Sequence, residues 1–172
     1  MRRGEVLGLR WADIDLGVGR VTVAHTRVMV NYSVRTSRPK TDSGARSFLL
    51  DAGTVAALRA WRATQAQERL AIGPGYTDSG YVFTMPDGAP VHPQRFSDWF
   101  QQHLRRAGLP RIRLHDVRHS YATAGLAADV DLKVLSERLG HATTQITADL
   151  YQHVPASVDQ AAAEAIAAAI DG

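Results

Sequence analysis

RIRLHDVRHSYATAG, residues 111–125, is the stretch on which the reading of this chain turns. His115 and Arg118 are three residues apart and His115 and His119 four apart, so on a helix they project from one face. A helical His pair can hold zinc, but no Glu follows the first His, no third ligand is evident, and an Arg stands between the two. The plain structural reading is a helix with a hydrogen-bonded His and a surface Arg. The rest of the chain decides between these.

Downstream, LSERLGHATTQITADLYQHV (135–154) ends one helix at Leu139, with Gly140 as a C-cap. Thr143 or Thr144 caps the next helix. Ile146 and Leu150 share its buried face, so Tyr151 is displaced around it. Helices are expected at 115–127, 131–139, 144–152 and 156–170, broken at Asp129, Gly140 and Pro155. The last carries an apolar stripe of Val158, Ala162, Ala165, Ile166 and Ala169, suited either to its own core or to a neighbouring protomer.

Upstream, Met1 to Leu9 reads as a short helix closed by Trp11. Three β-rich runs follow at 20–30, 31–36 and 45–51, with turn chemistry at Gly17, Gly19 and Thr41–Asp42–Ser43–Gly44. Three successive strands predict an antiparallel meander whose second connection, 37–44, is a polar turn bearing Lys40. From Asp51 the pattern is helical, with Val55, Leu58 and Trp61 in phase and a stop at Gly73–Pro74–Gly75. A turn-rich stretch then holds at most one short strand, around Tyr81–Thr84. Pro93 opens a helix that gathers Phe96, Trp99, Phe100, Leu104 and Ala107 on one face. The expected class is α+β: mostly helical, with a small three-stranded antiparallel sheet near the N-terminus.

The 172 residues, 45% hydrophobic and 22% charged, describe one globular domain. Cysteine is absent, which excludes disulfides and thiolate chemistry. No apolar run approaches a membrane span, and MRRGEVLGLRWADID lacks a signal peptide's core, so a cytoplasmic protein with no membrane partner is expected. No phosphate loop ending in Lys-Ser/Thr and no dinucleotide fingerprint occurs, so no nucleotide is expected. GYTDSGY lacks the strand–elbow–helix setting of a serine hydrolase. Net charge is only +3, but it is unevenly spread. Residues 1–40 carry eight Lys/Arg against three acids, 101–118 five against one, and 119–172 two against seven. That asymmetry fits a polyanion on one side or a solvated surface.

Taken together, the residues have a chemistry in common. A Tyr hydroxyl can attack a phosphodiester when cations stabilise the charge growing on the phosphorane oxygens. Arg forks match those oxygens and stay charged. His side chains titrate near neutrality and move protons, and a Lys on a turn can protonate a leaving 5′ oxygen. Arg2, Lys40, His115, Arg118, His141 and Tyr151 supply these parts.

That set resembles the catalytic domain of a tyrosine recombinase of the phage-integrase family. The first box, R-x-G-E…L-x-W-x-D-I-D, is matched by Arg2, Gly4, Glu5, Leu9, Trp11 and Asp13–Ile14–Asp15. P-K-T is Pro39–Lys40–Thr41, L-H-D-x-R-H is Leu114 to His119, L-G-H is Leu139 to His141, and T-A-D-x-Y-x-H is Thr147 to His153. Five motifs in family order cover essentially the whole chain.

The resemblance implies that Tyr151 attacks the scissile phosphate and forms a 3′-phosphotyrosyl link. Arg2 and Arg118, with His141, would clamp the non-bridging oxygens. Lys40 would be the general acid and His115 would assist proton transfer. Glu5 and Asp116 would orient the Arg and His groups. No cofactor or metal is implied, because the covalent link stores the bond energy. The partner would be double-stranded DNA, bound by a homo-tetramer of the full-length parent. Arg35, Arg38, Arg111 and Arg113 are DNA-contact candidates from the basic stretches. Relative to the family pattern the chain begins inside the first box. The expectation is a catalytic domain over 1–172 without its N-terminal core-binding domain, in which Arg2 frays and the isolated chain is weakly active. A DNA-binding remnant, a type IB topoisomerase-like enzyme and a His115/His119 metal hydrolase are the competing readings.

Overall fold

A computed structural model describes residues 1–38 and 45–140. The turn carrying Lys40, the helices expected at 144–152 and 156–170, and with them His141 and Tyr151, lie outside the described residues.

The first helix, α1 (Arg3–Gly8), starts where Glu5 reaches back to accept the Arg2 backbone N–H at 2.6 Å, satisfying an otherwise unpaired donor of the first turn. A 3₁₀ turn at Trp11–Asp13 leads into β1 (Ile14–Asp15), then β2 (Arg20–Val23), β3 (Thr26–Val30), β4 (Ser33–Ser37) and β5 (Arg46–Leu49). The three-stranded antiparallel sheet exists, but its order is β1–β2–β5, with Val21 opposite Ile14 on one side and Phe48 on the other. β3 and β4 form a separate hairpin.

The meander over 20–30, 31–36 and 45–51 is therefore corrected. The first run is two strands, broken at Ala24–His25, where α1 lies against the backbone. A Cβ on Gly8 would stand 2.8 Å from the His25 carbonyl oxygen, and one on Gly4 2.6 Å from Thr26 Oγ1. Asn31 and Tyr32, read as the start of a strand, are the hairpin turn. Both have positive φ, 47° and 61°, which matches the right-handed twist of the flanking strands.

Helix α2 (Ala52–Ile72) begins at Asp51, whose carboxylate accepts from Thr54 N and Oγ1, and stops at Gly73 in the left-handed region. Gln65 on its inner face is buried, accepting from Trp11 Nε1 at 2.7 Å and donating to Thr84 Oγ1 at 2.7 Å. The 81–84 segment makes only isolated bridges, Arg10 to Tyr81 and Thr84 to Pro90. Leu9, Val21 and Val82 are the centre of this half, with Leu58, Trp61 and Phe48 packed around them.

Helix α3 (Pro93–Arg106) opens with Pro93 as expected, but its apolar face is only partly covered. Leu104 is buried and Phe96 and Phe100 half-buried, while Trp99 is exposed under Arg95 and Ala107 is exposed. Helices α4 (Leu114–Ala127) and α5 (Leu132–Leu139) agree with the expected spans and pack through Ala122, Leu135 and Leu139. Asp131 caps α5 by accepting from Lys133 N and Val134 N, and Gly140 ends it at φ 67°, ψ 48°. The α+β class, mostly helical, stands. No helix among the described residues is long and apolar enough to cross a membrane.

Candidate active site

An α-helix ends in carbonyl groups with no partner inside the helix, and these form the negative end of its dipole. The end of α5 is used in full. Arg46 Nε donates to Arg138 O at 2.9 Å, Arg118 Nη2 to Leu139 O at 2.5 Å, and Arg2 Nη2 to Gly140 O at 3.0 Å. Guanidiniums from α1's N-cap, from β5 and from α4 thus converge on three successive carbonyls.

Like charges brought together need a counter-charge, and Glu5 supplies it. Its Oε1 accepts from Arg2 Nη1 at 3.0 Å and Arg46 Nη1 at 3.1 Å, and its Oε2 from Arg46 Nη2 at 2.8 Å. Glu5 is 5% exposed. Burial opposes its ionisation, but the hydrogen bonds from Arg46 and the Arg2 backbone and both positive charges outweigh that and hold the carboxyl at about 2, against 4.5 ordinarily.

Arg118 is 7% exposed, and its Nη1 is buried with no hydrogen-bond partner among the described residues. Burial first, then the charge of Arg2, pulls its pKa down to about 10, so it remains a cation at neutral pH. A buried donor left open is costly unless an acceptor completes it. Here it sits beside a cleft of about 770 Å³ lined by Arg2, Arg3, Arg111, Arg113, His115 and Arg118, among others. Such a surface suits an anion with several oxygens.

His115 also lines this cleft, its ring edge-on to His119 with centroids 4.7 Å apart. Burial, then the neighbouring His119 and Arg118, lowers its pKa, which favours the neutral imidazole that can take up or pass on a proton. No cluster of three metal-ligating side chains occurs among the described residues, so His115 and His119 have no third partner there.

A sequence model of the Phage integrase family matches residues 1–157. The chain belongs to the phage integrase family.

A XerC-like tyrosine recombinase of Caldanaerobacter subterraneus subsp. tengcongensis is 33% identical over 166 residues, covering 90% of this chain and 42% of that protein. The ICEBs1 integrase of Bacillus subtilis is 28% identical, again over 90% of this chain and 42% of the relative. The chain thus spans less than half the length of these curated relatives. Among solved structures, the Tn1549 transposon integrase in complex with transposon right end DNA superposes with a TM-score of 0.77 at 22% identity, over 97% of this chain and 55% of that one. XerA recombinase gives 0.68 at 21% identity, over 95% of this chain and 52% of that one. These two structures show that the chain shares their fold.

Within this member of the family the expected residues are placed as follows. Arg2, His115 and Arg118 come together at one cleft although they are distant in sequence. The expectation that Arg2 frays is corrected: its backbone N–H and both terminal nitrogens are held by Glu5 and Gly140. Of the two motif acids, Glu5 does orient Arg2, whereas Asp116 caps α4 and pairs with Arg113 at 2.9 Å. Arg111 and Arg113 are exposed on the rim, and Arg35 and Arg38 are exposed on and just beyond the β3–β4 hairpin. Lys40, His141 and Tyr151 lie outside the described residues.

Arg46 was missed by the sequence reading. Its signal was the strand alternation: Arg46 shares its face of β5 with Phe48, and both are partly buried. An Arg on the inward face of a strand requires a buried carboxylate.

Proposed function

We propose that this chain is the catalytic domain, over 1–172, of a tyrosine recombinase that cuts and rejoins double-stranded DNA at specific sites. Tyr151 Oη, giving up its proton by way of His115, attacks the scissile phosphorus, and the 5′ oxygen leaves with a proton from Lys40. A 3′-phosphotyrosyl bond replaces the phosphodiester. Attack by a 5′ hydroxyl of another strand reverses the step, so the bond energy is kept and neither cofactor nor nucleotide takes part. Arg2, Arg118 and His141 hold the non-bridging oxygens, and His115 assists proton transfer. Arg35, Arg38, Arg111 and Arg113 contact the DNA backbone. The complete protein acts as a homo-tetramer on DNA, in the cytoplasm.

The observation that carries this reading is the cleft where Arg2, His115 and Arg118 meet, three cationic or proton-bearing side chains of which Arg2 is distant in sequence from the other two. Preorganised cations of that kind are worth most when charge develops on the ligand during reaction. The test is a nicked duplex carrying the element's own junction sequence, incubated with the complete protein and run on a denaturing gel. A covalent protein–DNA band is expected with the native protein and none with Tyr151→Phe. A band that survives Tyr151→Phe overturns the nucleophile assignment.

A further inference from the structure

Among the described residues, Arg46 is joined to the cleft through Glu5, which it shares with Arg2. Its side chain is 8% exposed, against 46% for Arg2, so it cannot offer nitrogen atoms to a ligand in the way that Arg2 can. It is closely confined. The Phe48 ring lies 5.9 Å from its Cζ, and a Cβ on Gly140 would come within 2.6 Å of its Nη1. Its fork spans both oxygens of Glu5, and its Nε reaches Arg138 O. With both carboxylate oxygens gripped from behind, Glu5 has a fixed orientation, and its Oε1 then fixes Arg2 Nη1. Arg2 is otherwise a long, half-exposed side chain with much rotamer freedom to lose.

We infer that Arg46 is a positioning residue: it sets the place of Arg2 through Glu5, and ties the strand that follows Lys40 in sequence to the helix end that precedes His141. The consequence for reaction rate rests on the recombinase reading above. The geometric part does not. A clamp displaced by about an ångström can cost on the order of a hundredfold in rate, because orientation is lost before any contact is.

Two measurements on the complete protein separate these parts. The first needs no DNA. With ¹⁵N-arginine labelling, the Arg2 Nε–Hε signal, assigned by its loss in Arg2→Lys, is expected to shift and broaden in Arg46→Lys, since one ammonium cannot span two oxygens and a carbonyl. An unchanged Arg2 signal overturns the inference. The second is single-turnover adduct formation at saturating DNA. Arg46→Lys is expected to slow it roughly ten- to hundredfold, with DNA affinity within about twofold, yet by less than about threefold when Arg2 is already Lys. An equal loss in both backgrounds also overturns it. If Arg46→Lys unfolds, Arg46→Gln, which keeps the Glu5 carboxylate as the counter-charge to Arg2 and Arg118, takes its place in both measurements. Should the adduct persist in Tyr151→Phe, the recombinase reading falls, and the Arg2 signal alone still decides the positioning role.

Discussion

Glu5→Gln removes the carboxylate that Arg2 and Arg46 share while keeping its shape. In the folded protein Glu5 titrates at about 2, against 4.5 for an unperturbed Glu. A folded-state value below the unfolded one means that ionised Glu5 stabilises the fold above about pH 4.5, and that this contribution is lost as pH falls towards about 2. The difference corresponds to about 3 kcal/mol at neutral pH, at roughly 1.4 kcal/mol for each tenfold. At about pH 3.5 the same linkage leaves about 2 kcal/mol. Gln cannot titrate, so the native protein and Glu5→Gln are expected to differ most near neutrality, with the gap narrowing by more than about 1 kcal/mol on acidification. Urea unfolding followed by tryptophan fluorescence, with both proteins at each pH, measures it. A gap that stays constant from pH 7 to pH 3.5 would refute the argument, because it would mean that Glu5 is not held ionised by Arg46 and Arg2.

Three further substitutions test separate parts of the structure. Gly140→Ala forces a Cβ into the left-handed region and to 2.6 Å from Arg46 Nη1, and is expected to cost at least about 1 kcal/mol in urea unfolding. Arg118→Met removes a buried cation that has an open donor. The thermal midpoint is expected to hold or rise while the covalent DNA adduct disappears, so a large fall in the midpoint would contradict the account of Arg118 as a buried cation whose unpaired Nη1 outweighs its bond to Leu139 O. Gln65→Ala strands Trp11 Nε1 and opens space beside Val82. It is expected to lower stability by about 2–3 kcal/mol in chemical unfolding and to change the adduct rate less than about twofold, because Gln65 lies outside the arginine-lined cleft.

Helix limits were legible because their signals are local. Asp51 accepts from Thr54, Pro93 opens α3, and Gly140 takes the left-handed angle that only glycine adopts freely. The sheet was less legible because its pairing is set at a distance. Nothing in Val23–Ala24–His25–Thr26 itself breaks a strand; the break answers to α1 pressing on that backbone through Gly4 and Gly8. Arg2, His115 and Arg118 were singled out through motif and charge, and the structure places the three at one cleft. Their anchorage was not legible. Backbone carbonyls have no side-chain signature, so the end of α5 as the shared acceptor could not be read from residue types. Asp116, the other motif acid, caps α4 and pairs with the Arg113 three residues before it, a local partner that the helix start itself supplies.

The convergence on the end of α5 also bears on how the molecule comes to exist. Arg2 and Gly140 are 138 residues apart, and closing a loop of that length costs about 4 kcal/mol of chain entropy before any contact repays it. Arg2, Glu5 and Arg46 leave the ribosome first, while the carbonyls of 138–140 emerge only after nearly a hundred further residues have been made. Contacts of such long range form late in folding. A growing or half-folded chain therefore presents scattered basic side chains to nucleic acid but no ordered set of guanidiniums, and the grip on an anion arrives together with the finished tertiary structure.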